Sequence, residues 1–202
     1  TNKWQNSEIE GIDIMLAIDV STSMLAEDLK PNRLEGAKDV AAEFINGRPN
    51  DNIGITLFAG ETFTQCPLTV DHAVLLDMIH NIKCGLITDG TAVGMGIANA
   101  VTRLKDSKAK SKVIILLTDG TNNKGDISPM TAAEIAKSFG IRVYTIGVGT
   151  NGMAPYPYPV GNTVQYVSMP VEIDEKTLTE IAGTTDGCLL YTSPSPRDQR
   201  GS

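Results

Sequence analysis

Oxygen-bearing side chains recur at three places along this chain, each beside an apolar run. Asp19-Val20-Ser21-Thr22-Ser23 follows the run from Ile12 to Ile18, and Thr118-Asp119-Gly120 follows Val113 to Leu117. Asp89-Gly90-Thr91 precedes a third apolar stretch and offers a hydroxyl at a helix start. Asp19, Ser21 and Ser23 alternate with Val20 and Thr22, so a tight loop can turn all three oxygens to one side. Hydroxyls and carboxylates are hard donors suited to Mg2+ or Mn2+, and an all-oxygen set also admits Ca2+. Asp19, Ser21, Ser23, Thr91 and Asp119 together bring few charges to a divalent ion. Such a site keeps waters and an open coordination position. The bland alternative for the first string is a serine-rich helix N-cap. Its place at the end of a buried strand, with Thr91 and Asp119 at later turns, favours the metal.

The elements that must position these residues alternate between strand and helix periods. Ile12 to Asp19 is almost continuously apolar, as in a strand covered on both faces. Pro31 suits the first turn of a helix on which Leu34, Ala37, Ala41 and Phe44 recur at helical spacing. Ile53 to Phe58 reads as a second strand and Thr62 to Leu68 as a short, antiparallel third. Asp71 can cap a helix carrying Val74, Leu75, Met78 and Ile79. A further helix runs from Thr91 to about Leu104, with Asp89 read as its N-cap in preference to a carboxylate behind the metal ligands. Val113 to Leu117 is the strongest buried-strand signal. Ser128-Pro129 opens a helix that Gly140 stops, and Arg142 to Ile146 is the next strand. A Gly/Pro/Tyr segment, 147–170, precedes a helix from Asp174 to Ala182 and a weak last strand, Cys188 to Tyr191. In a doubly wound sheet, ligands sit at the carboxyl ends of parallel strands, where Asp19 and Asp119 fall.

At these residues the chain resembles the von Willebrand factor type A domains. Their metal-ion-dependent adhesion site is D-x-S-x-S, then a distant Thr, then a distant Asp often written T-D-G. Asp19, Ser21, Ser23, Thr91 and Asp119 match it residue by residue. GTAVGMGIANAVTRLKDSKAKSKVIILLTDG and IRVYTIGVGTNGMAPYPYPV are similar to the bacterial Bat, or aerotolerance-operon, members. The resemblance implies a three-layer doubly wound α/β domain over 8–191, with a mainly parallel six-stranded sheet and one antiparallel edge strand. It implies that Ser21, Ser23 and Thr91 bind the ion directly, that Asp19 and Asp119 act directly or through water, and that a partner protein's Asp or Glu completes the coordination. It further implies an adhesion-type binding module in a parent anchored in a bacterial inner membrane and facing the periplasm. A metal-free structural domain is the first alternative and a Mg2+-dependent phosphatase-like enzyme the second.

Composition bounds these readings. The 202 residues carry 17 Lys+Arg against 24 Asp+Glu, a net charge of −7. That balance argues against nucleic acid, which needs a basic surface to displace counterions. No apolar run approaches the ~20 residues of a bilayer span. Cys66, Cys84 and Cys188 fit neither a disulfide framework nor a metal knuckle and read as small buried hydrophobes. Gly147-Val148-Gly149-Thr150-Asn151-Gly152 spells G-x-G-x-x-G, but the prolines that follow preclude the helix a dinucleotide site requires. The same segment holds Tyr156, Tyr158 and Tyr166. Tyr156 and Tyr158 are candidate partner contacts, against the alternative of a self-packed hairpin covering the sheet edge. His72 and His80 lack a third ligand at metal spacing. Aspartyl-phosphate enzymes use D-x-D, and Ser21 stands where the second acid belongs, so no catalytic machinery is evident. The tail 192–202, TSPSPRDQRGS, is polar and without a core-facing period, and is expected to be disordered and non-native.

Overall fold

A computed structural model of the chain describes residues 11–192. The central strand β1 (Ile12–Asp19) pairs in parallel with β2 (Asn52–Phe58) on one side and β4 (Ser111–Thr118) on the other. Beyond β2 lies β3 (Thr62–Thr69), the one antiparallel strand of the sheet, and beyond β4 lie β5 (Ile141–Gly147) and the short β8 (Leu189–Tyr191). The order is therefore β3-β2-β1-β4-β5-β8. The expected six-stranded, mainly parallel sheet with an antiparallel edge is what the chain forms.

Both faces of β1 are buried because successive side chains point to opposite sides. Ile14, Leu16 and Ile18 join Leu34, Ala37, Ala41 and Ile45 of α1 (Arg33–Asn46) and Leu75 and Ile79 of α2 (His72–His80). Met15 and Ala17 join the opposite core with Ile97 and Val101 of α3 (Val93–Leu104), Ala132 and Ala136 of α4 (Pro129–Ser138), and Leu178 and Ile181 of α5 (Glu175–Thr184). Three layers result.

Helix starts follow the capping chemistry in four cases. Asn32, Asp71, Ser128 and Asp174 each accept a backbone N–H three residues on, from Glu35, Val74, Thr131 and Thr177. Pro31 is not in the first turn: Asn32 is the N-cap, and Pro31 precedes it. Gly140 stops α4 as expected, at φ +69°. α3 departs from expectation. Its N-cap position is Ala92, with no side-chain cap of its own, and Thr91 lies just outside the helix. The N–H of Val93 is satisfied instead by Asn122 Oδ1 at 2.9 Å, from the loop after β4.

The Gly/Pro/Tyr segment is an antiparallel hairpin, β6 (Gly152–Val160) and β7 (Thr163–Val171), closed by Gly161 at φ +58°. It forms a separate two-stranded sheet and does not extend either edge of the main one. The self-packed hairpin, one of the two readings of this segment, is thus what the chain forms. The hairpin is tied to the carboxyl end of the main sheet, where the Glu27 N–H donates to the Pro155 carbonyl at 2.9 Å. At its base, the Ile173 N–H donates to Asn151 Oδ1 at 2.9 Å. Of the three cysteines, Cys66 is buried, Cys84 half-buried and Cys188 exposed, so the reading of all three as core residues fails at Cys188. The tail expected to be disordered lies outside the described residues except for Thr192, whose N–H donates to the Gly147 carbonyl at 3.2 Å.

Candidate metal site at the carboxyl ends of β1 and β4

The chain leaves β1 toward one half of the sheet and later returns as β4 on the other side. This change of direction opens a crevice between the two strand ends. Asp19 ends β1 and Asp119 follows β4, and they are 0% and 1% exposed. A chain of close polar contacts joins them. Asp19 Oδ1 accepts from the Ser21 hydroxyl at 2.6 Å and from the Ser21 N–H at 2.9 Å. The Ser21 and Ser23 hydroxyls lie 3.0 Å apart, and Ser23 Oγ donates to Asp119 Oδ2 at 2.9 Å. Alternation in the D-x-S-x-S loop therefore does turn its three oxygens to one side.

Thr91 lies at the same end of the sheet, where the next residue's N–H, that of Ala92, donates to the Ala59 carbonyl after β2 at 2.7 Å. Thr91 is 3% exposed, and its N–H donates to Asn123 Oδ1 at 2.9 Å, while its carbonyl accepts from the Asn123 and Lys124 N–H groups. Its hydroxyl is not part of the chain of contacts that links the other four. Asp89, two residues earlier, does not cap α3. It accepts from the Thr22 hydroxyl at 3.0 Å and from the Thr22 N–H at 3.3 Å, fastening the segment before Thr91 to the serine loop. The slight burial of Asp89 is outweighed by these bonds, by the Gly90 N–H and by the charge of Lys124, so its carboxyl is held below the usual range.

Two buried carboxylates facing each other carry an electrostatic cost. Burial first, then the charge of Asp119, lifts the Asp19 carboxyl from its ordinary 3.8 to about 7, against the opposing hydrogen bonds from Ser21 and Thr118. Thr118 Oγ1 donates to Asp19 Oδ2 at 2.7 Å. Asp119 is held by its own set: Thr121 donates to Oδ1 from N–H (3.0 Å) and hydroxyl (2.7 Å), and Arg33 Nη1 reaches Oδ2 at 3.3 Å.

Arg33 is the participant that the sequence did not announce. It is 2% exposed, at the first position of α1, and its fork grips Asp28 through Nε (2.7 Å) and Nη2 (2.6 Å). Burial would raise Asp28, but the bonds from Arg33 and Thr150 and the guanidinium charge prevail and hold it below the usual carboxylate range. Gly149, at φ +120°, is required beside this pair, because a Cβ there would come within 2.5 Å of the guanidinium. One signal was available in the sequence. A cation in the first turn of a helix opposes the helix dipole and needs a compensating anion.

Above these groups opens a cleft of about 420 Å3. Thr22, Ser23, Ala26, Arg33, Asp119 and Thr121 form one wall, and Tyr156, Met169, Pro170, Val171 and Glu172 form the other. Tyr156 thus stands in the cleft. Tyr158 is not in its lining and is 58% exposed farther along the same row of the hairpin. Another cavity, about 270 Å3 between α1 and the β4–β5–β8 half, is apolar except for Arg48 and Tyr144 and does not adjoin the carboxylates.

The family model of the von Willebrand factor type A domain matches residues 13–200. The chain belongs to that family. It is 33% identical, with a TM-score of 0.83, to an aerotolerance-related membrane protein from Bacteroides fragilis, over 94% of this chain and 96% of that one. The same identity and TM-score relate it to BatB from Bacteroides thetaiotaomicron, over 94% of each chain. A mussel byssus matrix protein whose adhesion-site motif holds zinc shares the fold alone, at 22% identity and a TM-score of 0.67 over 91% of this chain and 42% of that one. Among curated proteins, an uncharacterised protein of Borreliella burgdorferi is 32% identical over 184 residues, 90% of this chain and 54% of that protein. A UPF0353 protein of Nocardia farcinica is 33% identical over 200 residues, 90% of this chain and 58% of that protein. The chain spans about half the length of these curated relatives. Family and neighbours support an interaction module. Among the described residues, no helix is long and apolar enough to cross a membrane.

Proposed function

We propose that this domain binds a divalent cation at Asp19, Ser21, Ser23, Thr91 and Asp119 and uses it to capture an acidic residue of another protein. The observation that carries this reading is the convergence of Asp19, Ser21, Ser23 and Asp119 in one line of close oxygen contacts, with Ser23 and Asp119 lining the cleft. The donors fit a hard ion. Among the described residues no group of three or more His, Cys, Asp or Glu could hold a metal, so hydroxyls must supply the rest of the set. Mg2+ or Mn2+ suits them, and Ca2+ is compatible. A bound cation would supply Lewis-acid attraction for a carboxylate.

The chain's own residues do the remainder. Arg33 Nη1 already reaches Asp119 Oδ2 at 3.3 Å and Ser21 and Ser23 bring no charge, so these side chains would leave a cation incompletely coordinated and open to an external anion. Asp89, Asn122 and Asn123 fix the Thr91 segment before any ligand arrives. Tyr156 and Met169 form the apolar wall against which the partner's residue would lie, with Tyr158 extending the same row. The reading is binding and not catalysis, since the hydroxyl of Ser21 stands where aspartyl-phosphate chemistry needs a second acid. The parent is proposed to be membrane-anchored, with this domain facing the periplasm.

Calorimetry with Mg2+ and Mn2+ tests the reading. Wild type is expected to release or take up heat to saturation, and the Ser21→Ala/Ser23→Ala double variant to give none. Absence of heat with the wild type would favour the metal-free structural domain. With binding established, a protein retained from native extract by the wild-type domain should be eluted by EDTA and not retained by the double variant. Phosphatase turnover with Mg2+ that Asp19→Ala abolishes would overturn the reading.

A further inference from the structure

The β6–β7 hairpin has two unlike edges. Pro155, Pro157 and Pro159 have no N–H and therefore occupy the non-hydrogen-bonded pairs of the hairpin, with their carbonyls turned outward. The bond from the Glu27 N–H to the Pro155 carbonyl shows that direction. The free edge of β6 thus has no donor at three alternate positions, a device that blocks strand addition. The residues paired with these prolines are Ser168, Tyr166 and Val164. Their N–H and carbonyl groups must also turn outward, on the free edge of β7. Among the described residues, no backbone hydrogen bond from another element reaches them. One edge of the hairpin is guarded and the other is open.

The open edge is also uncharged. No Asp, Glu, Lys or Arg occurs from Gly152 to Val171, in a chain of net charge −7. Met153, Tyr158, Val160, Val164, Tyr166, Val167 and Met169 are each 42–64% exposed. Side chains alternate between the two faces of the hairpin, so Val164 and Tyr166 of β7 lie on one face and Val167 and Met169 on the other. Two copies of a chain of net charge −7 would meet along this segment without like charges at the seam. The chain's like charges all lie outside this segment.

We infer that β7 pairs with β7 of a second copy of this chain, antiparallel and across a two-fold axis at Tyr166. This register sets Tyr166 opposite Tyr166 of the partner subunit and Val164 opposite Ser168 of the partner subunit. It uses all three outward donors of each strand, and the turn at Gly161-Asn162 and Pro170 bound its length. The product is a four-stranded sheet with proline-guarded outer edges, so association stops at the dimer. The pairing does not depend on a cation.

Sedimentation equilibrium of the full chain, from micromolar concentration upward, with and without EDTA, tests this. The wild type is expected to show a concentration-dependent dimer that EDTA leaves unchanged. Tyr166→Pro removes an outward donor and the tyrosine ring at the two-fold axis and leaves the hairpin ladder intact. It should weaken the dimer at least about tenfold, since two hydrogen bonds are lost per interface. Val164→Lys places a charge on the edge and should do the same, and circular dichroism should show both variants folded. A wild type that sediments as a monomer at every concentration overturns the inference, even if a strand from a different protein is then found on β7. So does a dimer that both variants retain.

Discussion

Asp19→Asn should make the metal-free domain more stable at neutral pH and less able to bind a cation. Asp19 is fully buried, and burial with the charge of Asp119 raises its carboxyl from 3.8 to about 7. Between about pH 4 and 7 the folded chain keeps a proton that the unfolded chain has lost. Stability therefore falls as pH rises through that window and is flat on either side of it. At 1.36 kcal/mol for each factor of ten, the charge costs the folded state about 4 kcal/mol above pH 7. Asparagine removes that cost and keeps an acceptor for the Ser21 N–H and hydroxyl, but its amide meets Thr118, a loss of about 1 kcal/mol. The net gain should be about 1–3 kcal/mol at pH 8 and near zero at pH 4. Asp28 and Asp89 are held low and titrate with the opposite sign, so the difference between the two proteins isolates Asp19. Urea denaturation in metal-free buffer at the two pH values measures it. With Mg2+ at a hundred times its Kd, the wild type should recover about 2.7 kcal/mol and the variant nothing. A variant no more stable than the wild type at pH 8, or a difference independent of pH, would refute the electrostatic account of the crevice.

Arg33→Met strands Asp28 and Asp119 without their buried counter-charge and should cost about 3–5 kcal/mol in urea denaturation. A loss under 1 kcal/mol would show that the guanidinium is not structural. Thiol labelling should be selective. Cys188 is exposed, whereas burial, then the charges of Asp19, Asp89 and Glu35, push the Cys84 thiol up to about 12. One equivalent of iodoacetamide at pH 8 should modify Cys188 and leave Cys84 and the buried Cys66 untouched, as read by peptide mass mapping. Rapid labelling of Cys84 would contradict the packing of its Sγ against the Ser21 carbonyl.

What could be read from the residues was what repeats or spaces regularly. Continuous apolar runs at Ile12–Asp19 and Val113–Leu117 marked strands buried on both faces, and Asp71, Ser128 and Asp174 marked helix starts, because these signals act over one turn or one strand. The serine loop was legible for the same reason: alternation over five residues fixes which side the oxygens face. What was not legible depends on contacts far apart in sequence. Asp89 has the right type and place for a cap, yet Asn122 supplies that bond from 29 residues beyond Val93, and so Asp89 is free to hold Thr22. Arg33 reaches Asp119 across 86 residues. The hairpin's proline period was visible in the sequence, but its meaning was not, since only the pairing partner shows which edge the missing donors guard. A position's residue type states which bonds it can make. The fold decides which of them it is offered, and at this crevice the fold has spent the nearby donors on Asp19 and Asp119 while leaving the mouth of the cleft open toward the hairpin.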